Sequence, residues 1–124
     1  IVLFSSPGGN DILDGLPYEN VIENINDIID LFQDRNPDIV ILIEQLAPGK
    51  TSFMTPELTL IFDKAVLDVE TIAQEQTDEN SLVIPVNMFE GFADRYLADD
   101  IHYNTEGAEF IAQRYYEVLE NVLE

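Results

Sequence analysis

Cysteine is absent from this 124-residue sequence. Disulfides, thiolate metal sites and cysteine-nucleophile chemistry are therefore excluded together, while the compartment stays open, because proteins of either redox environment can lack the residue. Basic residues are almost as scarce. Five Lys and Arg stand against 25 Asp and Glu, a formal net charge of −20. A field of that sign repels phosphate backbones and anionic membranes, so nucleic acid is not an expected partner. Long apolar runs are missing as well. The longest, Ile1–Phe4 and Ile39–Ile43, are strand-sized and far short of the ~20 residues of a membrane span. No basic stretch leads into an apolar core at the N-terminus, so no signal peptide is visible, and localisation is left open. Histidine occurs once, at His102, which confines imidazole chemistry to one position.

What is present reads as one globular domain over residues 1–124. Apolar residues make up 46% of the chain, too many for a disordered protein. Ile1–Phe4 predicts a first strand, followed by loop residues from Ser5 to Asp11. Tyr18, Val21, Ile22, Ile25, Ile28, Ile29 and Phe32 recur at helical spacing, and Asn36-Pro37 ends that helix. Ile39–Ile43 is β-branched and predicts a second strand, with a loop from Glu44 to Thr55. Thr55-Pro56 is an N-cap followed by proline at the first helical position, opening a helix with Leu58, Ile61, Phe62, Ala65, Val69, Ile72 and Ala73 on one face. Leu82–Val86 is the third strand, weakened by Pro85, which lacks a ladder donor. A helical turn is expected within Met88–Ala93. A last helix starts at Asn104 or Thr105 and buries Ala108, Ile111, Ala112, Tyr115, Leu119 and Val122. Continuous apolar strands alternating with amphipathic helices predict an α/β fold with a parallel sheet covered on both faces. Ligands of such sheets sit at the carboxyl ends of the strands, where the segments Gly8–Asp11, Glu44–Thr55 and Asn87–His102 all fall.

Two of those segments carry chemistry. His102 follows Asp99 by three residues, a spacing that lets a carboxylate bond one ring nitrogen and leave the other free as a base. Taken alone, the pair is more often a loop histidine bonded to a neighbour. Gly8-Gly9-Asn10-Asp11 sets an amide side chain behind two glycines at the sheet edge, where it can donate to a developing oxyanion. Taken alone, it is more often a plain turn.

The two segments together resemble the conserved blocks of the SGNH (GDSL-type) hydrolases. Ser6-Pro7-Gly8-Gly9-Asn10-Asp11 after an apolar strand resembles that family's Gly-x-Asn-Asp block, and Asp99-Asp100-Ile101-His102 before the final helix its Asp-x-x-His block. The resemblance spans nearly the whole chain but only the C-terminal portion of the family's domain. It implies a flavodoxin-like three-layer α/β/α sandwich whose N-terminal strands lie outside this sequence. It also implies a serine esterase or lipase-type hydrolase of ester or thioester bonds that needs no metal or other cofactor. His102 would be the base, Asp99 its orienting carboxylate and Asn10 an oxyanion donor, with Gly9 and Asp11 lining the site.

The nucleophile is not identified in this chain. Of Ser5, Ser6, Ser52 and Ser81, the first two lie nearest the site, but no strand-to-helix elbow is predicted to present them. The serine is therefore expected on a companion N-terminal segment, which would also pair with the bare apolar edge of the first strand; self-association through that edge is the other expectation. Three further readings remain. Asp11, Asp14, Asp99, Asp100 and His102 could hold a divalent metal in a metal-dependent hydrolase. Glu44 and Glu90 could pair as glycosidase carboxylates. The chain could also be an inactive α/β binding or assembly domain.

Overall fold

A computed structural model describes residues 1–124. Three parallel strands, β1 (Val2–Phe4), β2 (Ile41–Gln45) and β3 (Val83–Asn87), form one sheet in the order β1-β2-β3. Helices α1 (Gly9–Leu13) and α2 (Tyr18–Arg35) connect β1 to β2. Helix α3 (Pro56–Gln76) connects β2 to β3, and α4 (Thr105–Leu123) follows β3 after a long loop.

β2 is central, and its five residues are all buried. Ile41 and Ile43 point to one face and join Val21, Ile25 and Ile29 of α2 and Phe62, Val69 and Ile72 of α3. Leu42 points to the other face, against Met88 and against Ile111 and Tyr115 of α4. The layers are therefore α2 and α3, the sheet, and α4: the parallel sheet covered on both faces that the alternating pattern predicts, in the flavodoxin-like α/β/α sandwich that the resemblance implies. Local signals close the helices as expected. Thr55 Oγ1 accepts from the Leu58 N–H at 3.1 Å, and Asn104 Oδ1 accepts from the Gly107 N–H at 2.9 Å. None of the helices is long and apolar enough to cross a membrane.

Several boundaries differ from the sequence-based expectation, each for a physical reason. β2 continues through Glu44 and Gln45, which the sequence places in a loop. Both are buried because both find partners: Gln45 Nε2 donates to the Val66 carbonyl at 2.9 Å, and Glu44 accepts two hydrogen bonds described below. Pro85 is accommodated inside β3. Ile41 N–H donates to Leu82 O and Met88 N–H to Gln45 O, so the even-numbered residues of β3 carry the ladder and the missing donor of Pro85 faces away from β2. Gly9–Leu13 is a short helix rather than loop. The helical turn expected at Met88–Ala93 lies at Asp94–Tyr96. On α4, Ala108 and Ala112 are exposed rather than buried, because the core-facing line runs through Gly107, Ile111 and Tyr115.

Candidate active site

The turn after β1 reverses the chain within a few residues. Ser6 takes a left-handed backbone, φ +48°, and Gly8 another at φ +74°. Such a conformation costs a non-glycine residue about 1–3 kcal/mol, so something must hold Ser6 there. Its N–H donates to Glu44 Oε2 at 2.8 Å, and its carbonyl accepts from the Gly9 N–H at 3.1 Å. A Cβ at Gly8 would collide with Val21, which excludes other residues for a second reason. The turn delivers Asn10 into the first turn of α1 with an exposed side chain. The sequence predicts no strand-to-helix elbow here. The junction between Phe4 and Gly9 is a short turn in which Ser6 is the one non-glycine residue at positive φ.

His102 is presented by a pinned loop. Leu97 and Tyr103 form an antiparallel bridge, and Ala98 N–H donates to His102 O at 2.7 Å. Asn104 fastens the base, its N–H donating to Tyr96 O at 3.0 Å and its Nδ2 to Arg95 O at 2.7 Å. Asp99 organises the tip. Its Oδ1 accepts from the N–H groups of Ile101 (2.8 Å) and His102 (2.7 Å), while Oδ2 lies 2.8 Å from His102 Nδ1. The two backbone N–H groups, then the imidazole, hold the Asp99 carboxyl down to about 2. It is a carboxylate at any pH where imidazole chemistry operates. Nε2 makes no hydrogen bond to the chain and is open to solvent.

A cleft of about 200 Å³ lies at the carboxyl end of the sheet. Asn10 and His102 both line it, with Ser6 and Gly9 on the α1 side and Ile101 and Tyr103 on the other. Leu46, Pro48 and Phe62 supply apolar wall. Lys50 N–H donates to Asp100 O at 2.8 Å, tying the loop after β2 to the histidine loop. Asp11 is half-buried on α1 and is not part of the lining. Ser5 Oγ bonds Tyr115, Ser52 lies exposed in a turn, and Ser81 is buried beside β3 with its hydroxyl on the Ile39 carbonyl. Ser6 is the one serine in the cleft, and its hydroxyl makes no hydrogen bond to the imidazole.

The other constellations are not assembled. No three of the acidic and histidine side chains converge as a metal-ligand set, so Asp11, Asp14, Asp99, Asp100 and His102 are not gathered. Glu44 and Glu90 do not form a working pair. Both oxygens of Glu44 are occupied, Glu90 bonds Asn87 Nδ2 at 3.0 Å, and neither lines the cleft.

Glu44 was singled out in the sequence only as a glycosidase carboxylate paired with Glu90; what the sequence did not show is its place beneath the turn after β1. It is 3% exposed at the end of β2, with Oε2 on Ser6 N–H and Oε1 accepting from the Tyr115 hydroxyl at 2.7 Å. Tyr103, beside His102, has its phenol pushed up to about 12, by burial first and then by the Glu44 charge. The available signal was an acid continuing an apolar strand without a break, Ile41-Leu42-Ile43-Glu44.

No family model and no curated protein matches the chain in sequence. Solved structures do match it in shape. A carbohydrate esterase family 3 crystal structure from Talaromyces cellulolyticus superposes with a TM-score of 0.78 at 18% identity, over 97% of this chain and 56% of that one. An acetyl esterase variant crystallised with acetate ion gives a TM-score of 0.81 at 17% identity, over 98% of this chain and 57% of that one. The chain shares the α/β/α fold of these two structures. The chain spans a little over half the length of either structure. The cleft lined by Asn10 and His102 lies where open parallel sheets take their ligands, at the carboxyl ends of the strands.

Proposed function

We propose that residues 1–124 carry the base and oxyanion half of a serine ester hydrolase whose nucleophile lies on a segment outside them. The observation behind this reading is one cleft lined by both Asn10 and His102, with Asp99 Oδ2 2.8 Å from His102 Nδ1 and Nε2 free. In the acylation step the serine oxygen attacks the ester carbonyl while Nε2 takes its proton. Asp99 stabilises the resulting imidazolium. The Asn10 side-chain N–H donates to the tetrahedral oxyanion. Collapse expels the alcohol, which leaves with the proton from Nε2, and water repeats the cycle on the acyl-enzyme.

Substrate class follows from two supports. The cleft is small, and the two structural neighbours are described as a carbohydrate esterase and an acetyl esterase. A short acyl group on a sugar or other small alcohol is the reading they favour. The companion segment has its own support in the bare edge of β1. Val2 N–H donates to Val40 O, so the ladder uses Val2 and Phe4 and leaves the Leu3 backbone groups facing away from β2.

The test uses the protein with its serine-bearing segment present. Hydrolysis of p-nitrophenyl acetate is expected to exceed that of the octanoate. His102→Ala should lower turnover by several powers of ten, and Asn10→Ala by about 10² to 10³. A fluorophosphonate should label one serine outside residues 1–124, and chelators should change nothing. Near-native activity in His102→Ala would sink the assignment. A non-catalytic binding domain is the second reading, favoured by the lack of any serine bonded to Nε2. It becomes the better one if the wild-type protein cleaves no ester and takes no label.

A further inference from the structure

A carboxylate buried without a cation calls for a reason. Glu44 has no salt-bridge partner; the chain's two ion pairs are Lys64–Asp68 and His102–Asp99. Its charge is met only by the Ser6 N–H at 2.8 Å and the Tyr115 hydroxyl at 2.7 Å. Burial above all pushes the Tyr115 phenol above its ordinary range; the Ser5 contact opposes this and the bond to Glu44 adds to it, so the phenol stays protonated and remains a donor. Its oxygen is also 3.1 Å from Ser5 Oγ. The group therefore joins the end of β2, the middle of α4 and the turn after β1.

That turn is where the placement matters. Ser6 stands four residues before Asn10, and its φ of +48° sets the direction in which the chain leaves β1 for α1. Ser6 is exposed, so without Glu44 its N–H could bond water and its backbone could relax to negative φ. Asn10 would then move relative to the cleft. We propose that Glu44 is a positioning residue for the oxyanion turn, acting through the backbone N–H of Ser6. The effect on turnover rests on the ester-hydrolase reading; the effect on the turn does not.

Three variants separate geometry from charge. In Glu44→Gln the amide oxygen can still accept from Ser6, the amide nitrogen can donate to the Tyr115 oxygen, and the Tyr115 hydroxyl can turn to Ser5. Every bond survives, and kcat should stay within about threefold of wild type. Glu44→Leu fills the space without an acceptor. It should lower kcat by about ten- to a hundredfold with KM little changed, since a misplaced oxyanion donor acts on the transition state. Should that variant not fold, Glu44→Asp takes its place, its shorter side chain being unable to reach both partners. In an Asn10→Ala background the same change at Glu44 should add little, because its effect passes through Asn10.

Amide exchange is measured on the same proteins. Ser6 N–H should be protected in wild type and Glu44→Gln and lose protection in Glu44→Leu. Equal kcat losses with and without Asn10, or a Glu44→Gln as slow as Glu44→Leu, would overturn the proposal. If the wild type hydrolyses no ester, the function reading fails by itself. Ser6 exchange then decides alone, and protection unchanged by Glu44→Leu overturns the positioning role.

Discussion

Asp99 performs two tasks with two oxygens, and substitutions can part them. Oδ1 closes the turn by accepting from the N–H groups of Ile101 and His102, and Oδ2 bonds the imidazole. Asp99→Asn can keep the first while putting an N–H against Nδ1. The ring must then accept at Nδ1 and carry its proton on Nε2, where the proposed base would need its lone pair. Turnover should fall by about 10⁴, as when the triad aspartate of a serine protease becomes asparagine, with the fold unchanged by circular dichroism. Asp99→Ala loses both tasks and should also loosen the loop. The acid behaviour of Asp99 is a second expectation. A carboxyl whose folded value is depressed adds stability above its unfolded value, about 4, and that gain disappears as pH falls through about 2. Its side-chain carbon resonance should titrate near 2. In His102→Ala the midpoint should stay below the ordinary range, because the backbone N–H groups are the larger cause. A midpoint near 4 in both proteins would show that the turn does not form as described. The histidine pair was legible in the sequence because its partners lie three residues apart. Glu44 was not, because its partners lie 38 and 71 residues away and only folding brings them together.

Among the elements, α4 is the one that fixes the histidine loop, and Gly107 is where the two meet. A Cβ on Gly107 would run into the Tyr96 carbonyl oxygen, a backbone atom that cannot swing aside. The same oxygen accepts from Asn104 N–H at 3.0 Å, and Asn104 caps α4 through the Gly107 N–H. Gly107→Ala should therefore push the first turn of α4 from the loop at a cost of about 1–3 kcal/mol. The expected result is a lower denaturation midpoint together with lost protection at Ala98 and Asn104 N–H. Wild-type stability and protection would mean that the contact is slack. The helices themselves were readable from 3.6-residue spacing and their caps, since both signals are local. The strand ends were less so. Composition marks Glu44 and Gln45 as loop residues and Pro85 as a strand breaker; a buried partner overrides the first and an outward-facing backbone the second. The exposure of Ala108 and Ala112 was unreadable for a related reason. Apolar spacing gives a stripe its width but not which part of it the sheet covers.

For the whole molecule, the question is what meets β1. Leu3 is in register with Leu42 and so faces the α4 side of the sheet, yet it is 47% exposed while Leu42 is fully buried. Tyr116 and Leu123 of α4 are also exposed, at 55% and 70%. Complete burial of a leucine side chain is worth about 1.5–3 kcal/mol, and Leu3 would gain roughly half of that. An apolar strand edge with free backbone groups is a template for pairing. Against association stands the charge of −20, whose repulsion reaches about 10 Å at 0.1 M salt and about 3 Å at 1 M. Residues 1–124 by themselves should therefore self-associate, and more strongly as salt rises, which is opposite to the behaviour of an assembly held by ion pairs. Leu3→Lys puts a charge on the edge and should suppress association while leaving helix content unchanged. Adding the proposed companion segment should do the same by occupying the edge, and should make the Leu3 amide exchange slowly. Sedimentation velocity across a salt series, with and without the segment, reads each of these outcomes. A monodisperse, cooperatively unfolding monomer of residues 1–124 at 1 M salt, indifferent both to Leu3→Lys and to the segment, would mean that the edge of β1 needs no partner.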